Sequence, residues 1–555
     1  MNKKVCSFPI LFALLALLIG TCAVVFPASA QAAPTSTGSI TVSGTVASSY
    51  DAYQIFSANV VDGDSDAKTF TDLVWASDAV RDAALPVLHS AGMPNFQTTA
   101  QKAAEWLNTD SHLTGALSAQ LARSLQSSGA VSVALNAGTA AKLPSGYWLI
   151  VADDDAIAQG EVGTAPIMAL VGGGAVTVKP KAATPKVSKH VLEDSTAAWQ
   201  KAADATVADD LYWRLSATVP AGLTAYDTYA VRFVDTMGAG LDPSKVAASM
   251  RVYVAAGADG GFDAVSADKD GRVGTEPAKG WTDITAQCAT KIAADGTFTV
   301  RTGDLIAALG GADAFTAGAR VVAVYNAPLN SACNHGIAKG NPNEAYLCYP
   351  RSPFADQSGD AGFTRTPSDD ACAYTWDLAL TKRSSDGDKP LAGAVLSIAD
   401  DRGRTLAADG TWDAEGKATV TTGEDGRVTV SGVDSGKLEV RELKAPKGYT
   451  AFEGTRSVTV KAEGLDVDQV AAAKPKLTIT AESPLRADSA DGSTGSLEAS
   501  LINTPTGTPP SITTGGFMPS TGDMAMYAAA AAAVAGAALI VVALLVKRGG
   551  GSHKE

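Results

Sequence analysis

Trp376-Asp377-Leu378-Ala379-Leu380-Thr381-Lys382 alternates bulky apolar side chains with smaller or polar ones, then ends the inward row on a charge. Successive side chains of a strand face opposite ways, so Trp376, Leu378, Leu380 and Lys382 share one face. If the first three enter a core, so does the amine. An unpaired buried Lys is costly and tends to give up its proton. The conflict recurs downstream. Leu438, Val440 and Glu442 share a face, and so do Leu501 and Asn503. An amine, a carboxyl and a carboxamide therefore fall on inward rows of the first, a late and the last strand of one unit. A neutral Lys amine can attack an Asn amide carbon while a protonated Glu binds the carbonyl and shuttles protons as ammonia leaves. The product is an intramolecular isopeptide bond.

An upstream unit repeats the pattern. Val187, Lys189 and Val191 share a face; Asp235 follows Val231 and Phe233 on another; Asn343 begins the row Asn343, Ala345, Leu347, Tyr349. Lys189, Asn343 and Asp235 form the second expected set, with Asn341 competing for the Asn role.

Around these sets the chain reads as β-rich. Its 555 residues suffice for about three or four domains. The 46% hydrophobic and 18% charged fractions exclude disorder throughout, while 54 Gly and 25 Pro against 6% aromatics suit turn-rich β domains. A net charge of −14 argues against nucleic acid as a partner. The fold class expected is mainly β: tandem immunoglobulin-like sandwiches, with helices added to the first unit over Thr98–Ser127, where Trp106, Leu113, Leu117, Leu121 and Leu125 recur. The divisions are 1–30, 31–180, 181–371, 372–504, 505–523, 524–546 and 547–555.

Both ends point outward from the cell. Lys3 and Lys4, an apolar run and Ala28-Ser29-Ala30 read as a secretory signal spanning 1–30. At the far end stand Met518, Pro519, Ser520, Thr521 and Gly522, then 23 uncharged residues from Met524 to Val546, then Lys547 and Arg548. That run can cross a bilayer of about 30 Å with a basic tail behind it. Four cysteines lie beyond the signal: Cys288, Cys333, Cys348 and Cys372. An even number in a secreted chain suggests disulfides and leaves their connectivity open. No Cys-x-x-Cys or His pair suggests a metal, and no cofactor is implied. Asp268-Lys269-Asp270-Gly271 lacks the later ligands of a calcium loop and reads as a turn. With no His-Glu-x-x-His and no Gly-x-Ser-x-Gly, a hydrolase is disfavoured.

Leu378–Leu396 and Glu442–Tyr449 resemble the collagen-adhesin B-type immunoglobulin-like domain of surface adhesins and pilins. That resemblance implies a Lys382–Asn503 bond with Glu442 as catalyst. Asp235–Leu241 and Gly340–Asn343 resemble the isopeptide-forming middle domain of sortase-assembled backbone pilins. The bond implied there is Lys189–Asn343, with Asp235 as the acid. Val176, Val178, Pro180 and Lys181 resemble the pilin motif whose Lys joins one subunit to the next. Met518–Gly522 with its span and tail resembles a Gram-positive wall-sorting signal, which implies sortase cleavage between Thr521 and Gly522. Together these imply a wall-anchored pilus subunit, not an enzyme, whose partners are sortases, identical subunits, peptidoglycan and a possible host surface ligand. The alternative is a wall-anchored adhesin that never polymerises. A chain pulled between Lys181 and Thr521 would leave 343–382 under load, so Cys348–Cys372 is the expected pair, leaving Cys288–Cys333.

Overall fold

Thr375 alone separates the strand Asp369–Tyr374 from the strand Trp376–Ser384, so the chain leaves one β-sheet and enters the next within a single residue. The computed structural model describes residues 36–507 except 45, 63–67, 110–111, 173, 181–183, 221–222, 258–260 and 269–271. Lys181, the signal segment, Met518–Gly522 and the apolar run Met524–Val546 lie outside the described residues. Among those described, no helix is long and apolar enough to cross a membrane. The architecture is mainly β.

The first part builds a five-stranded and a three-stranded sheet. Strand Gly146–Ala152 is buried along its whole length, with Leu149 and Val151 facing the helices and Trp148 and Ile150 facing the small sheet. The helix expected over 98–127 is two helices, Ala100–Leu107 and Gly115–Ser128. It breaks because Asn108 closes the first helix and the Thr114 side chain accepts from Leu117 N to start the second. A further helix, Asp78–Ser90, was not expected from the sequence. Ser77 caps it and Pro86 lies inside it.

The middle part packs two large sheets face to face. One runs, in spatial order, Ala198–Gln200, Val187–Glu193, Tyr212–Thr218, Arg320–Asn326, Arg251–Ala255, Trp281–Asp283. The other holds Arg232–Met237 between Thr297–Arg301 and Asn341–Pro350, with Asp369–Tyr374 beyond. Trp213, Phe233, Phe298 and Tyr349 fill the space between them. Gly340, at φ +54, turns the chain into strand Asn341–Pro350, and a Cβ there would meet Cys372 Sγ.

The last part is a smaller sandwich. Its opening strand Trp376–Ser384 lies parallel to its final strand Ser496–Pro505, and the facing sheet carries Gly436–Lys444. The core is Trp376, Leu378, Leu380, Leu396, Val440, Leu497 and Leu501.

The expected disulfides are not formed; all four cysteines are free thiols. Cys348 pairs across the ladder with Arg365 and Cys372 with Pro342. The strand between Pro342 and Cys348 rises about 20 Å, whereas a disulfide needs Cα atoms within about 7 Å. Cys288 adjoins Ala289, at the Arg232 end of the second sheet. Cys333 sits toward the other end, beside His335 and the Asn334–Asn341 contact. Burial pushes the Cys288 thiol up to about 12 and those of Cys333 and Cys372 up to about 11, so none is an activated nucleophile.

Candidate functional site: two buried sets of lysine, carboxyl and asparagine

The inward rows of the last sandwich bring Lys382, Glu442 and Asn503 together. Lys382 is 0% exposed, Asn503 1% and Glu442 6%. Lys382 Nζ donates to Asn503 Oδ1. It also lies 3.1 Å from Glu442 Oε1, the same oxygen that accepts from Asn503 Nδ2 at 2.9 Å. One carboxylate oxygen therefore touches both the nitrogen that would attack and the nitrogen that would leave. Glu442 is held from its other side, because Phe452 N donates to Oε2 at 3.1 Å. The Phe452 ring lies 5.8 Å from Lys382 Nζ. Burial lowers the Lys382 amine to about 8, against the opposing pull of Glu442. A substantial neutral fraction is then present near physiological pH.

The middle set meets between the two large sheets. Lys189 comes from one sheet; Asp235 and Asn343 come from the other, where Met237 pairs with Asn343 and Asp235 with Ala345. All three are 0% exposed. Lys189 Nζ donates to Asp235 Oδ2. Burial drives the Lys189 amine down and the Asp235 carboxyl up, so both are pushed toward their neutral forms. Asp235 Oδ1 and Asn343 Oδ1 have no hydrogen-bond partner.

Asn341 does not join this set. Its Oδ1 accepts from Asn334 N, and its Nδ2 donates to Asn334 O and Ala373 O. It fastens a loop, whereas Asn343 is the asparagine that shares the Tyr325 hydroxyl with Lys189.

Three features escaped the sequence reading. Tyr325 places its hydroxyl 2.7 Å from Lys189 Nζ, 2.8 Å from Asp235 Oδ2 and 2.9 Å from Asn343 Nδ2. Its strand, Arg320–Asn326, is buried on both faces, so no alternation marks Tyr325 as inward. Lys201 is the second: it ion-pairs with Asp369 and donates to Lys189 O at 2.8 Å, while Lys189 N donates to Asp369 Oδ2 at 2.7 Å. The third is a carboxyl cluster between the middle and last parts. There Asp204 Oδ2 accepts from Trp376 Nε1 at 2.6 Å and Ser435 N at 2.9 Å. No motif spacing joins residues so distant in the chain. Among the described residues no group of three or more His, Cys, Asp or Glu is arranged to hold a metal.

Residues 377–474 match the SpaA family, described as a prealbumin-like fold domain. The trypsin-resistant surface T6 protein of Streptococcus pyogenes serotype M6 is 31% identical over 143 residues, 24% of this chain and 24% of that protein. The chain thus matches about a quarter of the length of that curated relative. Among solved structures, the T6 backbone pilin of serotype M6 Streptococcus pyogenes is 17% identical, with a TM-score of 0.45, over 85% of this chain and 99% of that one. The full-length major pilin SpaD of Corynebacterium diphtheriae is 16% identical, with a TM-score of 0.39, over 85% of this chain and 97% of that one.

Proposed function

We propose that this protein is a structural subunit of a covalently polymerised, wall-anchored pilus, and that it braces itself with Lys382–Asn503 and Lys189–Asn343 isopeptide bonds. The carrying observation is the buried contact of Glu442 Oε1 with both Lys382 Nζ and Asn503 Nδ2. In each set the neutral Lys nitrogen attacks the Asn Cγ, and a new C–N bond forms. The Cγ–Nδ2 bond breaks, and Nδ2 departs as ammonia with the proton that Nζ gives up. Glu442 passes that proton in the last part, and Asp235 is the acid of the middle one.

The SpaA match over 377–474 and the relationship to a trypsin-resistant surface protein support the reading. A chain braced in this way would resist proteases, because strands that cannot separate are poor substrates. Polymerisation is assigned to Lys181 as the acceptor amine and to Met518-Pro519-Ser520-Thr521-Gly522 as the site where a sortase cuts after Thr521. The finished polymer would join peptidoglycan through a sortase, with the apolar run Met524–Val546 holding the chain in the membrane before cleavage.

The test is electrophoresis of wall-released protein in SDS. A ladder of covalent multimers that disappears on Lys181→Ala supports polymerisation through that amine. A ladder unchanged by the substitution moves the acceptor elsewhere, and a single band in the wild type would leave an anchored, unpolymerised adhesin.

A further inference from the structure

The two sets differ in how the carboxyl reaches the amide. Glu442 spans both nitrogens with one oxygen. Asp is shorter by one methylene, and Asp235 Oδ2 is engaged by Lys189 and by Tyr325, while the Asn343 Nδ2 proton goes to the Tyr325 hydroxyl at 2.9 Å. That hydroxyl also accepts from Lys189 Nζ at 2.7 Å. A phenol has one proton and two lone pairs. Tyr325 uses all of them: it donates to Asp235 and accepts from the attacking and the departing nitrogens. Among the described residues it is thus the one hydrogen-bond link between Lys189 Nζ and Asn343 Nδ2. The ring is fixed by an edge-on contact with Phe298 at 4.8 Å between centroids.

We infer that Tyr325 is a further catalytic residue, relaying the proton from Lys189 to the departing nitrogen of Asn343. The inference rests on the isopeptide reading of the middle set. As Nζ bonds to Cγ, it passes a proton to the Tyr325 oxygen. The phenolic proton, which rests on Asp235 Oδ2, turns from that carboxyl and passes to Nδ2 as this nitrogen gains basicity in the tetrahedral intermediate. The Cγ–Nδ2 bond then breaks and ammonia leaves. Tyr325 ends as it began, and no outside reagent is consumed. Asp235, the acid of this set, whose carboxyl burial pushes up, keeps the phenol and the amine aligned through Oδ2.

The experiment uses the full chain carrying Tyr325→Phe, which preserves the ring and removes only the hydroxyl. Peptide mapping at successive times after purification quantifies the Lys189–Asn343 peptide against the Lys382–Asn503 peptide. The expected result is a middle linkage that forms about 100-fold more slowly, with the other linkage unchanged. In Tyr325→Phe with Asp235→Glu, the longer carboxyl is expected to reach Asn343 as Glu442 reaches Asn503, recovering the linkage. A middle linkage formed at the wild-type rate in Tyr325→Phe overturns the relay and leaves the isopeptide reading standing. Absence of the Lys189–Asn343 peptide from the wild type overturns both. Should Tyr325→Phe fail to fold, 3-fluorotyrosine at 325 keeps every contact and makes the phenol more acidic. It must change the rate of linkage, and an unchanged rate overturns the relay.

Discussion

Lys382 and Asn503 stand on adjacent parallel strands two positions out of register: the ladder pairs Lys382 with Leu501 and Ser384 with Asn503. The offset lets the long Lys side chain run diagonally to the short Asn on the same inward face. The proposed bond would tie the last strand to the first, enclosing nearly the whole of that sandwich.

Removing this tie should be costly. The proposed covalent link, between residues 121 positions apart in the chain, would restrict the unfolded state by about 4–5 kcal/mol if it behaves as a disulfide of that span. Lys382→Ala should therefore lower the Tm of the last sandwich by roughly 15 °C or more and open it to trypsin. Calorimetry and timed digestion check both. A Tm within a few degrees of wild type would mean that no link was present.

The two asparagines should separate cleanly. Asn343→Ala is expected to abolish the middle linkage. Asn341→Ala should leave it intact and cost about 1–3 kcal/mol through the Asn334 and Ala373 groups left unpaired. Peptide mapping of both variants, beside their denaturation midpoints, distinguishes a reactant from a loop fastener.

Stability should fall as pH rises. Glu193 is pushed up to about 8 by burial and by Asp204, and burial with Asp204 and Asp194 pushes Asp434 well up too. Both retain a proton in the fold at a pH where the unfolded chain has lost it. His190, lowered to about 4 by burial, acts in the opposite sense below its ordinary value of 6.5, so the folded state's excess of bound protons is unopposed by it between about 6.5 and 8, and stability declines across that window. Asp194 and Asp204 face the same joint, with Arg402, Arg404, Asp209 and Asp400 at its edge. Thermal melts through this range should show a falling Tm, and Glu193→Gln should flatten the slope. A Tm that rises with pH would contradict the assignment.

Much of this was legible in the sequence because period-two alternation exposes a misplaced charge. Lys382, Glu442, Asn503, Lys189 and Asp235 each continue an apolar row, and each is buried where the row predicts. Tyr325 was not legible, since a strand buried on both faces carries no alternation and a Tyr looks at home in any core. The helix Asp78–Ser90 escaped notice as well. The disulfides failed for a different reason: strand register, which sequence spacing does not reveal, separates Cys348 from Cys372 along the ladder.

The thiols supply their own check. Non-reducing peptide mapping should find neither Cys348 joined to Cys372 nor Cys288 joined to Cys333. Detection of Cys348 joined to Cys372 would require a strand register different from the one seen, and Cys288 joined to Cys333 would require opposite ends of the second sheet to meet.

Condensation of Lys382 with Asn503 and of Lys189 with Asn343 is tested most directly by the intact mass of the purified, reduced chain. Two linkages predict a mass lower than that of the corresponding polypeptide by two ammonia molecules, with one restored in Lys382→Ala and the other in Lys189→Ala. A mass equal to the unmodified polypeptide would contradict the account.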